Sequence, residues 1–214
     1  YIAPQGGHSV RETIQNNVNA VLQQARTTGQ PILPHLNHPN FGWGVTAEDI
    51  AAVRGERFFE VYNGHPAVRN AGDAEHASTD RMWDIALALR QKQAKPEPLY
   101  ALAVDDSHEY HRHGIRFSNA GRGWIMVRAE YLTPECLLHA MEHGDFYAST
   151  GVVLKDVQRT AEEFRVEIAA VDGVSYRTEF IGTRRGFDAA SEPVRNKEGA
   201  ELPVTRRYSA GVGE

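Results

Sequence analysis

The sequence has almost no cysteine and no long apolar run. A single cysteine, Cys136, among 214 residues excludes an internal disulfide and any zinc site built from several thiolates. Its spacing from Leu132, Leu137 and Ala140 predicts a buried position on a helix. No stretch approaches the roughly 20 apolar residues that cross a bilayer, so we expect no membrane span. The first residue is Tyr1 rather than Met, and the sequence leaves open whether this soluble chain is cytoplasmic or exported.

Positive charge is also scarce. The 23 lysines and arginines are outnumbered by 28 aspartates and glutamates, which gives a net charge of -5. Without a cationic surplus to hold a phosphate backbone, nucleic acid is not an expected partner. A hydrophobic content of 41% and a charged content of 24% are typical of a globular protein. A chain of this length accommodates one large domain, or a domain with a small appendage.

Segments typical of strands and helices alternate along residues 1–151. An amphipathic helix is predicted from Ser9 to Thr28, with Gly29 as its stop. Further helices are predicted at 46–55, 79–93 and 134–143, and strands at 31–35, 57–63, 98–108 and 123–130. This order favours parallel βα units with polar residues gathered at the C-terminal ends of the strands. In barrels of such units, that end holds the active site.

The pattern changes near residue 152. Residues alternate on both sides of Asp172-Gly173 in "FRVEIAAVDGVSYRTEFIG", which predicts an antiparallel hairpin. The segment "VTRRYS" predicts a last strand. We therefore expect two parts, an α/β domain over residues 1–151 and a small antiparallel β domain over residues 152–214.

Polar side chains at the predicted strand ends suggest a metal site. In "DDSH", Asp106 and His108 are one residue apart, so an extended chain places both side chains on one face, about 7 Å apart. His38 follows an earlier strand in "HLNHPNFGWG", where Pro39 favours an extended approach. Imidazole and carboxylate ligands suit zinc, manganese or iron. Capping of strand ends and surface hydrogen bonding are the alternative roles for these residues.

The motifs "NHPN", "EVYNG" and "DDSH", in this order, resemble the second half of a PHP (polymerase and histidinol phosphatase) domain. The resemblance continues through "GRGWIMVRA" and into "GDFYASTGVVL", which is similar to the junction in bacterial members with a C-terminal β domain. It implies that residues 1–151 form the C-terminal part of a distorted seven-stranded (β/α) barrel.

The resemblance also implies an activity. PHP proteins are metal-dependent phosphoesterases, so a phosphomonoester or small phosphodiester, a small phosphorylated substrate, is expected. His38, Asp106 and His108 are implied as ligands of two or three divalent ions, zinc, manganese or iron, and Asp106 and His108 as catalytic residues. Arg122 in "GRG" is the candidate for substrate binding, because a guanidinium matches phosphate oxygens in two-point contacts.

The sequence departs from the family in one respect. The H-x-H strand, the bridging glutamate and the further histidine that open a PHP barrel are not visible, and His8 does not lie in an H-x-H. We expect a C-terminal portion of a longer protein that lacks the N-terminal ligands. The alternatives are a degenerate PHP-like binding or accessory protein, a non-phosphate hydrolase on the same scaffold, or a complete smaller protein with one metal.

The other candidate residues have more modest expected roles. Glu60 is predicted to support the site rather than to bridge metals, and Arg128 to form a surface salt bridge. The remaining histidines are assigned by location: a loop over the pocket for His65 and His76, a solvated loop for His111 and His113, and a helix surface for His139 and His143.

Overall fold

The structure, a computed structural model, describes residues 1–209 and 211–213. The helices are α1 (Val10–Thr28), α2 (Ala47–Ala52), α3 (Thr79–Gln91) and α4 (Pro134–His143), with a 3-10 turn at Phe41–Trp43. The strands are β1 (Phe58–Asn63), β2 (Tyr100–Val104), β3 (Trp124–Val127), β4 (Phe146–Ser149), β5 (Leu154–Arg159), β6 (Phe164–Ile168), β7 (Ser191–Glu192) and β8 (Arg207–Tyr208). The mixed α/β class predicted from the sequence is confirmed.

The helix ends follow local chemistry that the sequence displays. The side chains of Ser9, Thr46 and Thr133 each accept a backbone N–H of the first helical turn. Gly29 and Gly144 end α1 and α4 in the left-handed conformation that glycine adopts without a steric penalty. The helix boundaries predicted from these residues are confirmed.

A parallel pair of strands lies at the centre of the first part. β1 and β2 are hydrogen-bonded in parallel, with Asn63 opposite Val104, and α3 lies between them in the chain. Leu36 adds a single parallel bridge to Phe59. The strand predicted at 31–35 is absent, because prolines at positions 31 and 34 have no N–H to give to a ladder. Three chain segments therefore run side by side toward one edge.

The pairing beyond β2 differs from the prediction of parallel βα units. β3 and β4 flank α4 but pair antiparallel, with Trp124 opposite Ser149. The turn after α4 is short, since Gly144 and Asp145 alone separate the helix from β4. Over residues 1–209 and 211–213, the strands form four two-stranded sheets and no closed barrel.

The core lies between α2, α3 and the sheet. Its fully buried members come from these elements and from the C-terminal segment, and they include Ile50, Phe59, Met82, Ile85, Leu99 and Val212. Burial of a large aliphatic or aromatic side chain contributes about 1.5–3 kcal/mol, so this cluster is the main source of stability for the strands that carry the site.

The C-terminal region forms fewer regular contacts. β5 pairs with β6 through the turn at 160–163, where the Thr160 hydroxyl accepts the N–H groups of Glu162 and Glu163. The hairpin predicted around Asp172-Gly173 is therefore replaced by a nearer partner for β6. Residues 174–183 form no strand. The division at residue 152 stays a prediction.

The chain returns to the first part near its end. The Thr205 hydroxyl accepts the N–H of Ala47 at 3.0 Å, and the Tyr208 hydroxyl donates to Glu48 at 2.9 Å. Val212 is 2% exposed within the core. The last described residues thus cover the start of α2. Among the helices that the structure describes, none has the length and apolarity needed to span a membrane.

Candidate functional site

The candidate site lies where three parallel segments end. His38 follows the bridge residue Leu36, Asn63 ends β1, and Asp106 follows β2 by two residues. Because these segments are neighbours in register, their ends meet at one edge of the sheet. The sequence predicted that polar residues after the strands would gather at one edge, and the His38 backbone and the Asp106 side chain are linked there through Glu60 and Asn63.

The buried Glu60 side chain connects the segments that end in His38 and Asn63. Its side chain is 5% exposed, and its Oε2 accepts the backbone N–H of His38 at 2.7 Å and the Asn63 amide at 2.8 Å. Its Oε1 lies 3.6 Å from the His35 ring nitrogen Nε2. Burial opposes ionisation of Glu60, but the nearby His35 ring and the hydrogen bonds from Asn63 and His38 outweigh it and hold the pKa of Glu60 below its usual value.

Asn63 extends the network to Asp106. Its side chain is fully buried, and the same amide nitrogen that donates to Glu60 lies 3.2 Å from the Asp106 Oδ2. The Asn63 amide oxygen accepts the N–H of His65. One buried amide therefore fixes the spacing between the ends of β1 and β2.

His38 and Asp106 both have unusual backbone conformations. Their φ angles are 24° and 49°, in the positive region that non-glycine residues rarely adopt. A left-handed residue costs roughly 1–2 kcal/mol, and such strain concentrates at functional sites. The turn after His38 is held by Asn40, whose amide donates to the carbonyl oxygens of Arg69 and Ala77. The surrounding hydrogen bonds thus maintain both conformations.

His108 is fixed through one ring nitrogen. Its Nδ1 lies 2.7 Å from the carbonyl oxygen of Asp106, and because a carbonyl only accepts, the hydrogen of the neutral ring is on Nδ1. The Nε2 lone pair is then free to accept a proton or bind a cation. The side chain is 66% exposed, and the Ser118 hydroxyl and carbonyl oxygens accept the backbone N–H of His108.

The residues match a metal site in kind but not in number. Metal-binding histidines commonly donate their second ring N–H to a carbonyl, as His108 does. However, within residues 1–209 and 211–213 no group of three His, Cys, Asp or Glu side chains could hold an ion. His38, Asp106 and His108 lie around one edge without forming a complete ligand set. These residues alone do not fit the two or three ions that the resemblance implies.

Arg122 is engaged by the backbone. Its guanidinium donates to the carbonyl oxygens of Gly64 and Gly114, both at 2.8 Å, and the Asp105 carboxylate accepts the backbone N–H of Arg122. It therefore joins the loop after β1 to the loop after β2. Arg128 pairs with Asp156 at 2.9 Å on the surface. The substrate-binding role predicted for Arg122 stays a prediction.

A cleft of about 440 Å³ opens beside His108. Its walls come from the two loops that Arg122 joins, and they include His65, Pro66, His108, Arg116, Phe117 and Ser118. The sequence reasoning missed Arg116 and Phe117. The only signal for them was their position in the loop that follows the "DDSH" motif.

Several of the remaining histidines make contacts away from the candidate site or are exposed. His76 stacks on Trp43 with ring centroids 3.9 Å apart and pairs with Asp73. The rings of His139 and His143 lie 4.3 Å apart, tilted by 33°, on the exposed surface of α4. His111 and His113 are exposed. Cys136 is half-buried on α4, so the predicted helical position is found with partial burial.

Comparison of the chain with protein-family models, with curated proteins and with solved structures finds no match. The geometry of the site is therefore the basis for a functional proposal.

Proposed function

We propose that the protein is a metal-dependent phosphoesterase, and that the edge formed by His38, Asp106 and His108 belongs to its active site. The substrate class would be a phosphomonoester or a small phosphodiester. One observation carries the proposal: the network from the His38 backbone through Glu60 and Asn63 to Asp106. It connects two candidate ligands, from different chain segments, through two buried polar side chains.

A purely structural role accounts poorly for this arrangement. Burying a carboxylate and an amide is costly unless both are fully hydrogen-bonded, and an apolar pair would fill the same space at lower cost. Two positive φ angles add further strain at the same edge. Both costs fall at the same edge of the sheet, which supports a chemical role for this edge.

The chain's own residues can fill defined roles in that site. The free Nε2 of His108 accepts a proton or a cation, and the Asp106 carboxylate supplies negative charge beside it, with its Oδ1 3.6 Å from the His108 Nδ1. The ligands still missing would have to come from outside this set of residues. Divalent ions in such sites supply Lewis acidity and an activated water.

The test combines metal analysis with hydrolysis by the protein at its full natural length. Equilibrium dialysis with Mn²⁺ or Zn²⁺ measures bound metal, and p-nitrophenyl phosphate with its bis-ester measures activity. We expect Asp106→Asn and His108→Ala each to lower the hydrolysis rate at least about 100-fold, since even outer-shell changes cost 10–100-fold. Bound metal should fall with it.

Matched controls are available on the surface. Asp145→Asn and His8→Ala remove a carboxylate and an imidazole from exposed positions, and they should leave both the bound metal and the hydrolysis rate unchanged. Full activity in Asp106→Asn would exclude the proposed site.

A second candidate is a PHP-like binding or accessory protein without catalysis. The incomplete ligand set within the described residues favours it over a hydrolase acting through this chain alone. It predicts no metal retention and no hydrolysis by the full-length protein, whereas the phosphoesterase predicts both.

A further inference from the structure

The cleft beside His108 is built by two loops held together by the backbone. One loop follows β1 and contributes His65, and the other follows β2 and contributes Arg116. The Arg122 guanidinium donates to Gly64 in the first loop and to Gly114 in the second. The cleft has a volume of about 440 Å³, within the range of roughly 300–1,000 Å³ typical of small-molecule sites. A small ligand therefore fits this cleft.

The charged groups of the cleft favour an anion. Glu109 contributes a carboxylate, but Arg112 pairs with it at 2.6 Å and neutralises it. Arg116 is exposed and makes no hydrogen bond or ion pair with any residue that the structure describes. Its guanidinium is the unpaired charge of the cleft.

Of the two histidines that line the cleft, His65 adds to this preference. The rings of His65 and His108 lie 5.6 Å apart. The Nδ1 of His65 accepts the N–H of Ala67, so in the neutral ring its hydrogen is on Nε2 and can be donated to an anion. Arg122, by contrast, is not among the described residues that line the cleft, and two of its N–H groups donate to carbonyl oxygens. Arg116 rather than Arg122 is the guanidinium available for a ligand.

The other walls of the cleft are apolar. Pro66 and Ala67 come from the first loop, and Phe117 from the second. The Phe117 ring is half-buried and packs against the guanidinium of Arg112 at 4.9 Å from its centroid. An aromatic ring held in this way offers a flat surface on which a second flat group can pack.

We infer that this cleft binds an aryl phosphate monoester, with Arg116 facing the phosphate and Phe117, Pro66 and Ala67 contacting the aromatic group. The inference rests on the proposed function for its choice of phosphate as the anion. It identifies Arg116 and Phe117 as residues that determine substrate specificity.

Binding without catalysis tests this inference. Isothermal titration calorimetry of the full-length protein, treated with a chelator, compares phenyl phosphate with methyl phosphate and benzyl alcohol. Phenyl phosphate should bind at least tenfold more tightly than either of the other two compounds, because it alone contacts both the charged and the apolar walls of the cleft. Arg116→Gln should weaken phenyl phosphate binding about tenfold, as expected for the loss of one charged contact.

Two variants make the result specific. Arg165→Gln removes the same charge from an exposed position on β6 that does not line the cleft, and should leave the affinity unchanged. Phe117→Leu should weaken phenyl phosphate binding while leaving methyl phosphate binding unaltered.

The contrary outcomes are distinct. Equal affinity for methyl phosphate would overturn the aromatic contact, and equal affinity for benzyl alcohol would overturn the anion site. Unchanged binding by Arg116→Gln, or no binding of phenyl phosphate, would overturn the inference as a whole. Tight, Arg116-dependent binding without hydrolysis by the untreated protein would support this cleft assignment and contradict the phosphoesterase.

Discussion

Two buried carboxylates lie in and just before β1, and they behave in opposite ways. Glu56 precedes the strand and is 1% exposed, while Glu60 lies within it and is 4% exposed. Burial raises the pKa of Glu56 to about 7, against attraction from Arg90 and His35, while the pKa of Glu60 is held below its usual value. The difference is in the partners: Glu60 accepts hydrogen bonds from two groups and lies 3.6 Å from the His35 ring nitrogen, whereas the Oε2 of Glu56 has no hydrogen-bond partner among the described residues.

This contrast separates stability from function along a single strand. Near Glu56, the buried Arg90 guanidinium donates to the carbonyl oxygens of Glu56 and Ile50 and joins α3 to the loop before β1. Near Glu60, the donors are the candidate site residues themselves. Similar burial therefore leaves the Glu56 carboxyl protonated below about pH 7, whereas the Glu60 carboxylate is ionised and organises its neighbours.

The largest expected effect is at Glu60. Glu60→Ala leaves the buried Asn63 amide and the His38 N–H without their acceptor, so we expect the free energy of unfolding to fall by about 3–5 kcal/mol. Urea denaturation at pH 6 measures it. Glu75→Ala removes an exposed carboxylate from the loop before α3 and should change stability little. A loss under 1 kcal/mol for Glu60→Ala would show that the network is not structurally coupled.

The next effect is the pH dependence that Glu56 introduces. Because its folded pKa of about 7 lies above the ordinary 4.5, the folded state binds the proton more strongly, and stability falls as pH rises between these values. Glu56→Gln should remove this slope. Relative to wild type, the variant should gain on the order of 2–3 kcal/mol between pH 5 and pH 8.

Urea titrations at several pH values would measure this slope. Parallel curves for wild type and Glu56→Gln would mean that Arg90 keeps Glu56 ionised throughout, and the contrast between the two carboxylates would disappear.

The smallest effect is expected at His35. The Glu60 carboxylate, 3.6 Å away, raises the pKa of His35 above 6.5, against the opposing effect of burial, while the pKa of Glu60 lies below 4.5. The pair therefore contributes most between these two values, and its contribution is lost as pH rises through the folded pKa of His35 or falls through that of Glu60.

His35→Gln should cost less than about 1 kcal/mol at pH 5.5, because the ring is 40% exposed and solvent screens the pair. The cost should vanish at pH 9. A constant difference in unfolding free energy between variant and wild type across this range would assign the effect to packing rather than to charge.

The sequence was sufficient for the elements whose ends carry their own chemistry. Thr133, Pro134 and Gly144 delimit α4 because capping is a local interaction between neighbours in the chain. The same holds for α1, between Ser9 and Gly29. The largely apolar starts of the segments 57–63 and 98–108 identified β1 and β2, although β2 ends at Val104, before the "DDSH" motif.

The errors concern strand pairing and loop packing, which hydrophobic periodicity does not report. Apolarity in "PILPH" indicated burial, but the prolines prevent a ladder. The direction of β4 relative to β3 depends on a two-residue turn, which periodicity does not report. For the candidate site, strand ends could be predicted to meet, but not that Arg122 would donate to two carbonyl oxygens, because such contacts depend on how loops pack. Glu60 was predicted as a supporting residue, and its network is consistent with that role.

The amide of Asn63 has one further consequence, for the ageing of the protein. Asn63 is followed by Gly64. In flexible peptides such a pair forms a succinimide when the glycine backbone nitrogen attacks the side-chain carbonyl carbon of asparagine, with loss of ammonia. Here the Gly64 N–H donates to the Val104 carbonyl at 2.9 Å and the amide is held between two carboxylates, which opposes the attack. The folded chain should resist deamidation, whereas the chain stored in denaturant would acquire a third carboxylate between Glu60 and Asp106 and refold poorly.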